Sequence, residues 1–589
     1  GYSVVAVLAP TVLPQGADHV YFEASAVIIT LVLVGRYLEG RARGRAGAAV
    51  QTLLGQQPSQ AIRLSDGEQS SREETVPITA ITVGDCLRVR DGDQIPLDGR
   101  IEDGAGDIDE SMITGEALPV PRRQGDAVVG GTVLTTGSLI IRVEAVGADT
   151  AVARIAAMVA QAQAGKLPIQ SLVDRVTAVF VPVVLVIAAV TAVLWYVVGP
   201  DPALSNAMVS AVAVLIIACP CAMGLAVPTS IMVATGLAAQ KGILFARGDA
   251  LQTLCSIRLL ACDKTGTLTH GSMAIESIHG LSPERQEQVL SMAAAVEQHS
   301  SHPIAHALCS YVRDRDWPIA HAEDYQVRHG AGVQARVADS SGGWRQVQLL
   351  SHGAASAGDY DLKPWEAAVQ AVIDAAASPL VVIIDGQVEA VLGISDQVRA
   401  EAAEALTSLR QRGVRTVMLS GDHHHQAQTV AQAVGIEEVF APLRPEEKVA
   451  TLEQLRDEGL TVASIGDGVN DAPLLAQADI GIAIGAGTDI AIEAADVVLM
   501  ADDLRRVALA MDISVATMRT IRQNVFWAFA YNTALIPVAA GALYPVWGIT
   551  LNPAFAALAM AASSICVVAN ALRLKQRVAG MARPSPTSG

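Results

Sequence analysis

Apolar residues are concentrated in long runs that alternate with longer polar stretches. Five runs reach or approach the length that a helix needs to cross a bilayer, which is about 20 residues. They cover residues 20–38, 176–198, 207–227, 525–543 and 553–572. A sixth run, residues 2–9, has about half that length, so we expect the printed sequence to begin within a first, truncated helix. The pattern predicts a polytopic α-helical membrane protein.

Two polar stretches between these runs have the patterning of cytoplasmic domains. Residues 46–165 alternate short β-rich runs with turns, as in "AVVGGTVLTTGSLIIRVEAV", which is typical of a small β domain. Residues 242–510 contain strand-like apolar runs separated by longer segments and predict an α/β fold.

Composition indicates that apolar and acidic parts are kept apart. Hydrophobic residues make up 51% of the 589 residues and the mean hydropathy is +0.37, yet the net charge is −18. The acidic balance argues against a nucleic-acid partner, because nucleic-acid-binding surfaces are basic. The long apolar runs indicate that the partner of the chain is a lipid bilayer.

Basic residues beside the apolar runs predict the orientation in the membrane. They adjoin the two polar stretches and follow the last run: Arg36, Arg41, Arg43, Arg45, Arg519, Arg522, Arg573, Lys575 and Arg577. Both polar stretches and the C-terminus are therefore expected in the cytoplasm, with short turns outside. This predicts a multi-pass protein of a cell membrane, and the short turns and compact ends are typical of a bacterial inner membrane.

Acidic residues follow three strand-like runs in the larger polar stretch. "IRLLACDKTG", "VRTVMLSGD" and "LTVASIGDGVND" carry Asp263, Asp422, Asp467 and Asp471. In an open parallel sheet, ligands bind beyond the carboxyl ends of the strands, so we expect these carboxylates to lie together. Like charges at close range need compensation, and Mg²⁺ is a suitable cation because it binds one or two carboxylates together with phosphate oxygens.

The same region predicts phosphoryl transfer. Lys264 and Lys448 are placed to neutralise phosphate charge, and Asp263 is the best candidate for a nucleophilic carboxylate because it directly follows a buried strand. Gly266 would let the backbone approach a phosphate closely.

Two cysteines flank a proline inside the run 207–227. The seven cysteines do not form a disulfide framework, and only Cys219 and Cys221 are closely spaced. Pro220 is expected to free the carbonyl of Ile216 and loosen the helix, and a freed carbonyl in lipid needs a partner. Thiolates select soft ions such as Cu(I), or borderline Zn(II), so the "CPC" sequence predicts an ion site.

Three motifs resemble those of the P-type ATPases. They are "DKTGTLT" at residues 263–269, "TGE" at 114–116 and "GDGVNDAP" at 466–473. The resemblance implies that ATP phosphorylates Asp263, that Glu116 positions the water that later hydrolyses the aspartyl-phosphate, that Asp467 and Asp471 hold Mg²⁺, and that Lys448 contacts the phosphate. The further catalytic residues it implies are Lys264, Thr265, Thr114, Gly115, Ser420 and Asp422.

The resemblance also implies a domain plan, with a cytoplasmic β actuator domain and a haloacid-dehalogenase-like, Rossmannoid α/β phosphorylation domain that carries an α+β nucleotide-binding insertion. The expected boundaries are 1–45 for membrane helices, 46–165 for the actuator domain, 166–241 for a membrane helix pair with "CPC", 242–270 and 391–510 for the two parts of the phosphorylation domain, 271–390 for the nucleotide-binding domain, 511–575 for the last membrane helix pair and 576–589 for a tail.

Residues in the insertion resemble the heavy-metal branch of this family. The similar sequences are "EQHSSHPIA" and "GAGV", and the ATP-contacting residues they imply are Glu297, His302, Pro303, Gly330 and Gly332. Two features depart from the branch. The branch usually reads Thr-Gly-Asp-Asn where this chain has Ser-Gly-Asp-His, ending at His423, and "LLSHGAAS" around His352 occupies the region of its Gly-Asn pair.

The order of "CPC", "YN" and "MxxSS" along the chain resembles the Cu(I)-transporting subgroup. This implies metal ligands at Cys219, Cys221, Tyr531, Asn532, Met560, Ser563 and Ser564, with Glu23 and Asp174 near the ends of the ion path. It also implies export of Cu(I), with Ag(I) as a related ion, and a cytoplasmic copper chaperone as a partner. A Zn(II)/Cd(II) pump and a copper-binding sensor without turnover remain the alternatives.

Overall fold

The structure is a computed structural model that describes residues 2–8, parts of 20–40, and 58–581 with gaps at 66–71, 115–117, 166, 220, 299, 301, 329–330, 340–342, 359, 376, 468–470 and 486–492. The chain divides into two compact units, which are described separately. The first contains residues 1–256, 496–502 and 506–589, and the second contains residues 257–495 and 503–505.

The strands within the described residues are, in chain order, β1 (Gln60–Ser65), β2 (Arg72–Pro77), β3 (Cys86–Arg90), β4 (Gly99–Asp109), β5 (Val120–Arg122), β6 (Ala127–Val128), β7 (Val133–Val143), β8 (Ile243–Phe245), β9 (Leu259–Asp263), β10 (Thr269–His279), β11 (Ala322–Arg328), β12 (Gly332–Ala338), β13 (Trp344–Ser351), β14 (Ser378–Ile384), β15 (Gln387–Val398), β16 (Arg415–Leu419), β17 (Glu438–Phe440), β18 (Val462–Gly466), β19 (Ile480–Ile484) and β20 (Val497–Leu499).

The α-helices of the same residues are α1 (Tyr2–Leu8), α2 (Ser111–Thr114), α3 (Ala151–Ala164), α4 (Pro168–Val198), α5 (Ala203–Ile217), α6 (Cys221–Ala239), α7 (Gly248–Leu254), α8 (Pro283–Glu297), α9 (Pro303–Arg313), α10 (His352–Ser356), α11 (Glu366–Asp374), α12 (Ala402–Gln411), α13 (His424–Val434), α14 (Pro445–Asp457), α15 (Ala472–Gln477), α16 (Arg505–Ala539), α17 (Tyr544–Trp547) and α18 (Pro553–Met581).

The first unit contains an antiparallel sheet in the order β2-β1-β3-β7-β4-β5, with β6 paired to β4. Its strands alternate buried and exposed positions, as at Leu139, Ile141 and Val143 of β7, because successive side chains of a strand point to opposite faces. The buried faces form one apolar core. The sheet has the all-β character that the alternation of short runs and turns predicts for this stretch.

The first unit also contains the long apolar helices. Two described segments, Ala151–Val198 and Pro553–Val578, are long and apolar enough to cross a membrane, and Ala203–Ile217 and Met223–Ala239 are shorter apolar helices. Many apolar side chains of α4, such as Val179, Leu185 and Val186, are exposed. Exposed apolar residues along a helix of this length indicate a surface that lipid covers. Residues 525–543 lie partly in α16, which begins at Arg505 and ends at Ala539.

The run 207–227 is interrupted around Pro220, the position at which the sequence predicts a loosened helix. Helix α5 ends at Ile217 and α6 begins at Cys221, which gives two helices of 15 and 19 residues. The carbonyl of Ile216 accepts the N–H of Cys219 at 3.2 Å. The chain therefore makes a turn at the "CPC" sequence, and the turn itself supplies a partner for the carbonyl that a proline would leave free in a continuous helix.

The second unit has a parallel sheet in the order β17-β16-β9-β18-β19. Strands β9, β18 and β19 are buried along their whole length, as expected for a parallel sheet that is covered on both faces. In the register of the sheet, Leu419 of β16 lies beside Asp263 of β9. The carboxyl ends of β16, β9 and β18 therefore form one edge.

The insertion between β9 and β16 forms a six-stranded antiparallel sheet in the order β10-β15-β14-β13-β12-β11. One face packs on α8 and α9 through Leu308, Val347 and Leu349, while the adjacent Leu350 belongs to the core on the other face, with α10. Both faces of β13 are thus covered, which explains its consecutive buried residues.

Candidate phosphorylation and metal sites

Asp263 ends the buried strand β9 and faces the edge of the parallel sheet. Its side chain is 7% exposed, and one carboxylate oxygen accepts the N–H of Thr265 at 3.0 Å. The chain then turns through Gly266 at φ +74°. A Cβ on Gly266 would clash with Oδ2 of Asp467, so glycine is required both for the backbone conformation and for the approach of Asp467.

The neighbouring strand ends bring two more predicted residues to this edge. Ser420 follows β16 and is buried, and its Oγ accepts the N–H of Asp422 at 3.1 Å. Nζ of Lys264 lies 2.5 Å from Oδ2 of Asp422. Residues 263, 264, 420, 422, 467 and 471 thus occupy one edge of the sheet, as the strand endings predict.

Lys448, on α14, is the cation that compensates the buried carboxylates. Its Nζ pairs with Oδ1 of Asp263 and lies 3.3 Å from Oδ1 of Asp471, whose side chain is only 2% exposed. Burial raises the pKa of Asp263, an effect that the positive charge of Lys448 opposes. Burial, reinforced by the charge of Asp263, raises the pKa of Asp471 to about 7. A single ammonium group therefore leaves this cluster short of positive charge.

The residues present fit a magnesium ion. Within the described part of the chain, no three His, Cys, Asp or Glu side chains already converge as a metal site, but Mg²⁺ takes only one or two protein carboxylates and completes its shell with phosphate oxygens and water. Oδ2 of Asp471 is buried and has no hydrogen-bond partner among the described residues. A Cβ on Gly466 would lie 2.7 Å from that same atom, so glycine keeps space beside it.

A cavity of about 590 Å³ adjoins this edge. Its lining includes Lys264, Asp422, Glu276 and Ser395, and thus both the phosphorylation loop and the strands β10 and β15 that lead into the insertion. A cleft of this size, lined by polar groups beside a nucleophile, is large enough for a nucleotide.

The predicted nucleotide-contacting residues are distributed around the start of the insertion. Glu297 ends α8, is 5% exposed, and burial raises its pKa. His302 caps α9, where its Nδ1 accepts the N–H of Ile304 at 3.3 Å, and Pro303 is the first residue of that helix.

Gly332 has a structural reason to be glycine. It begins β12, and a Cβ there would clash with the carbonyl oxygen of Leu349 on β13.

The two positions that depart from the heavy-metal branch, His352 and His423, both lie at helix starts. His352 begins α10, which Ser351 caps by accepting the N–H of Ala354 at 3.3 Å. His423 is the N-cap residue of α13 and makes no side-chain capping bond.

Two residues that the sequence patterns did not indicate hold the phosphorylation loop. Arg399 is 4% exposed and donates hydrogen bonds to the carbonyls of Thr269 at 3.2 Å and Gly266 at 3.0 Å. Asp396 accepts the hydroxyl of Thr269 at 2.5 Å. Both lie at the end of β15, far along the chain from the loop. Contacts between such distant segments produce no periodic pattern in the sequence, so sequence reasoning could not identify these two residues.

The predicted metal ligands lie on α16, α18 and the turn between α5 and α6. Tyr531 of α16 and Ser563 of α18 line the same cavity. Asn532 is 2% exposed, and its Oδ1 has no hydrogen-bond partner among the described residues. Oγ of Ser564 donates to the carbonyl of Met560 at 3.5 Å.

The two cysteines lie on either side of the helix break. Cys219 is half-buried in the turn after α5. Cys221 begins α6, and its side chain lies outside the described residues.

The other predicted residues are described as follows. Glu23 is helical and exposed, and Asp174 is exposed on α4. Thr114 ends the short helix α2, where its hydroxyl donates to the carbonyl of Glu110 at 3.1 Å. Gly115, Glu116 and Gly330 lie outside the described residues.

Comparisons with known proteins agree with this arrangement. Residues 55–160 match the P-type ATPase actuator domain, and residues 257–479 and 449–510 match haloacid dehalogenase-like hydrolases. The chain is 49% identical over 575 residues to copper-transporting ATPase 2 of Rhizobium meliloti, covering 98% of this chain and 68% of the relative, and 43% identical over 580 residues to the silver exporting P-type ATPase of Salmonella typhimurium, covering 98% and 69%.

A solved structure is similar over most of the chain. The crystal structure of a zinc-transporting PIB-type ATPase in the E2.Pi state superimposes with a TM-score of 0.62 at 30% identity, covering 93% of this chain and 87% of that one. The fold and the aspartate cluster define a membrane enzyme of the phosphoryl-transfer class with a haloacid dehalogenase-like core. The chain belongs to the P-type ATPases, in the copper-transporting group of their heavy-metal branch.

Proposed function

We propose that this chain exports Cu(I) from the cytoplasm across a membrane, driven by ATP hydrolysis through an aspartyl-phosphate. The observation that carries the phosphoryl-transfer part is the cluster of Asp263, Lys448 and Asp471 at the carboxyl edge of the parallel sheet, with both carboxylates buried. Buried carboxylates at a strand edge beside a nucleotide-sized cleft are costly for stability and are suited to accepting a phosphoryl group.

The phosphorylation step follows from the placement of these groups. An oxygen of Asp263 attacks the γ-phosphorus of ATP, and the bond to the β-phosphate oxygen breaks as ADP leaves. Lys448 and Lys264 hold negative oxygens in place, while the N–H of Thr265 fixes the other oxygen of Asp263. Asp467 and Asp471 would hold Mg²⁺, which would supply positive charge that offsets the charge of the phosphate oxygens.

The dephosphorylation step restores the carboxylate. Water attacks the phosphorus, the bond to Asp263 breaks, and inorganic phosphate leaves. We assign the positioning of this water to Glu116, with Thr114 and Gly115 as its motif neighbours, and the positioning of the phosphate to Ser420 and Asp422. Glu297, His302, Pro303, Gly330 and Gly332 are assigned to nucleotide binding.

We assign the transported ion to the helices around the "CPC" turn. Thiols at Cys219 and Cys221 and a thioether at Met560 are soft ligands that suit Cu(I). The buried Oδ1 of Asn532 has no hydrogen-bond partner among the described residues. This atom is therefore available to contact a bound ion in this region. Tyr531, Ser563 and Ser564 complete the set, and Glu23 and Asp174 are assigned to the ends of the path.

A Zn(II)/Cd(II) pump is the competing proposal, since a zinc-transporting structure shares the fold. The last two apolar runs, 525–543 and 553–572, carry no lysine or aspartate, and Met560 offers a thioether, which suits Cu(I) better than Zn(II). The relatives of higher identity are named for copper or silver. Both observations favour the monovalent ion.

We propose that the protein crosses a cell membrane several times with both large domains in the cytoplasm, and that in bacteria this membrane is the inner one. Support comes from the basic residues beside the apolar runs. A cytoplasmic copper chaperone is proposed as the metal donor.

Acid-stable phosphoenzyme formation from γ-labelled ATP tests the proposal. We expect stimulation by Cu(I) or Ag(I) but not by Zn(II), loss of labelling in Asp263→Asn, and loss of metal stimulation in the double variant Cys219→Ser/Cys221→Ser. Stimulation by Zn(II) would support the divalent pump, and a chain that binds Cu(I) without any phosphoenzyme would be a sensor.

A further inference from the structure

Polar side chains join α16 to α18 in a regular antiparallel order. Hydrogen bonds join Thr520 with Arg577 and Asn524 with Asn570, and Tyr531 and Ser563 line one cavity between the two helices. The three α18 residues, Ser563, Asn570 and Arg577, recur at every seventh position, which is about two helical turns. Consequently they lie along one face of the helix.

The central pair, Asn524 with Asn570, is the most restrictive of these contacts. Nδ2 of Asn570 donates to Oδ1 of Asn524 at 2.8 Å, and Nδ2 of Asn524 donates to the carbonyl of Val567 at 3.4 Å. Asn524 is 2% exposed. It therefore contacts two positions one helical turn apart on α18, and this double contact fixes how far one helix can slide along the other.

The pair is physically continuous with the proposed metal site. A cavity of about 520 Å³ between the two helices is lined by Asn524 and Asn570 and also by Tyr531 and Ser563. Tyr531 is seven residues from Asn524, which corresponds to about 10 Å along a helix. A slip of one turn would displace Tyr531 from Ser563 by about 5.4 Å, which is more than a ligand site tolerates.

We propose that Asn524 and Asn570 are positioning residues for Cu(I) binding, because their hydrogen bond fixes the axial register of α16 against α18 and thereby holds Tyr531 opposite Ser563. The inference rests on the proposed function, which assigns Tyr531 and Ser563 to the metal site. Neither asparagine contacts the ion; both act through the helix register.

The test uses the full chain with Asn570→Leu, Asn524→Leu and the double variant. Ile565→Ala, at a position of α18 that is 46% exposed, is the matched control. Three quantities are measured: Cu(I) affinity by competition with a chromophoric Cu(I) chelator, KM and kcat for Cu(I)-stimulated ATP hydrolysis, and phosphorylation of Asp263 by inorganic phosphate with Mg²⁺ but without Cu(I). The last measurement reports an intact phosphorylation domain independently of the metal site.

We expect each single variant to bind Cu(I) about tenfold more weakly, consistent with the loss of one interhelical hydrogen bond in a membrane. KM should rise correspondingly, while kcat at saturating Cu(I) and phosphorylation by inorganic phosphate stay as in the unmutated chain. The double variant should be no weaker than either single variant, because the two residues act as one unit.

Three results would overturn the inference. Unchanged Cu(I) affinity in a variant that is still phosphorylated by inorganic phosphate would show that register does not control binding. A joint fall of affinity, kcat and phosphorylation would indicate a role in folding alone, and additive losses in the double variant would show independent roles. If the unmutated chain itself binds no Cu(I), the proposed function fails first, and the inference with it.

Discussion

The replacement Lys448→Met tests how the buried aspartates are kept usable. Lys448 is the cation that contacts both Asp263 and Asp471, which are 7% and 2% exposed. Methionine keeps much of the volume but removes the charge. Removing one partner of a buried ion pair costs about 3–5 kcal/mol, because the remaining charge is uncompensated.

The cluster can reduce this cost by keeping protons. A cost of about 3 kcal/mol corresponds to a rise in pKa of about two, so the pKa of Asp263, already raised by burial, rises further. Only the ionised carboxylate attacks ATP, and at a pH below the pKa the ionised fraction falls about tenfold each time the pKa rises by one. We therefore expect phosphorylation of Lys448→Met to be slower than that of the unmutated chain at pH 7, by up to about a hundredfold, with the deficit shrinking as the pH rises.

The assay is single-turnover phosphorylation by γ-labelled ATP between pH 6 and 9, with Cu(I) saturating. Lys448→Arg, which keeps the charge, is the matched control and should retain most of the rate at pH 7. A Lys448→Met variant that reacts at the normal rate at pH 7 would refute the reasoning. A deficit that stays constant across the pH range would refute the proton-linked part and leave only a direct contact with phosphate.

Three further substitutions test other parts of the structure. Gly266→Ala should slow phosphorylation at least tenfold. The left-handed backbone conformation costs alanine about 1–2 kcal/mol, and the new Cβ would clash with Asp467. A normal rate of phosphoenzyme formation would contradict this prediction. Gly332→Ala should lower the melting temperature, because its Cβ would clash with the carbonyl of Leu349; weaker ATP binding at unchanged stability would instead indicate a direct nucleotide contact. Burial raises the pKa of Glu297, so the unmutated protein loses stability as the pH rises from the pKa of the unfolded state to that of the folded state. Glu297→Gln should therefore raise the melting temperature more at pH 8 than at pH 5. A gain in melting temperature that does not depend on pH would contradict this.

Several features of this protein could be predicted from local patterns alone. The apolar runs indicated membrane helices, and the strand-like runs placed Asp263, Asp422 and Asp467 at the ends of neighbouring strands, which the parallel register of β9, β16 and β18 confirms. These predictions succeed because period and length in the sequence reflect the backbone geometry of a single element. The seven-residue motif "DKTGTLT", which begins at Asp263, indicated the P-type ATPase family.

Other features depended on how distant segments pack. Pro220 predicted a loosened helix, but only the structure shows that α5 ends at Ile217 and that the N–H of Cys219 donates to the carbonyl of Ile216. Arg399 lies more than a hundred residues from the loop that it holds.

The pairing of Asn524 with Asn570 was likewise decided only in the tertiary structure. The sequence by itself determined which segments are helices, which are strands, and which carboxylates end the strands. Packing decided which polar groups meet, because a hydrogen bond or an ion pair depends on the relative placement of two elements, and that placement minimises the free energy of the whole fold and not of either segment.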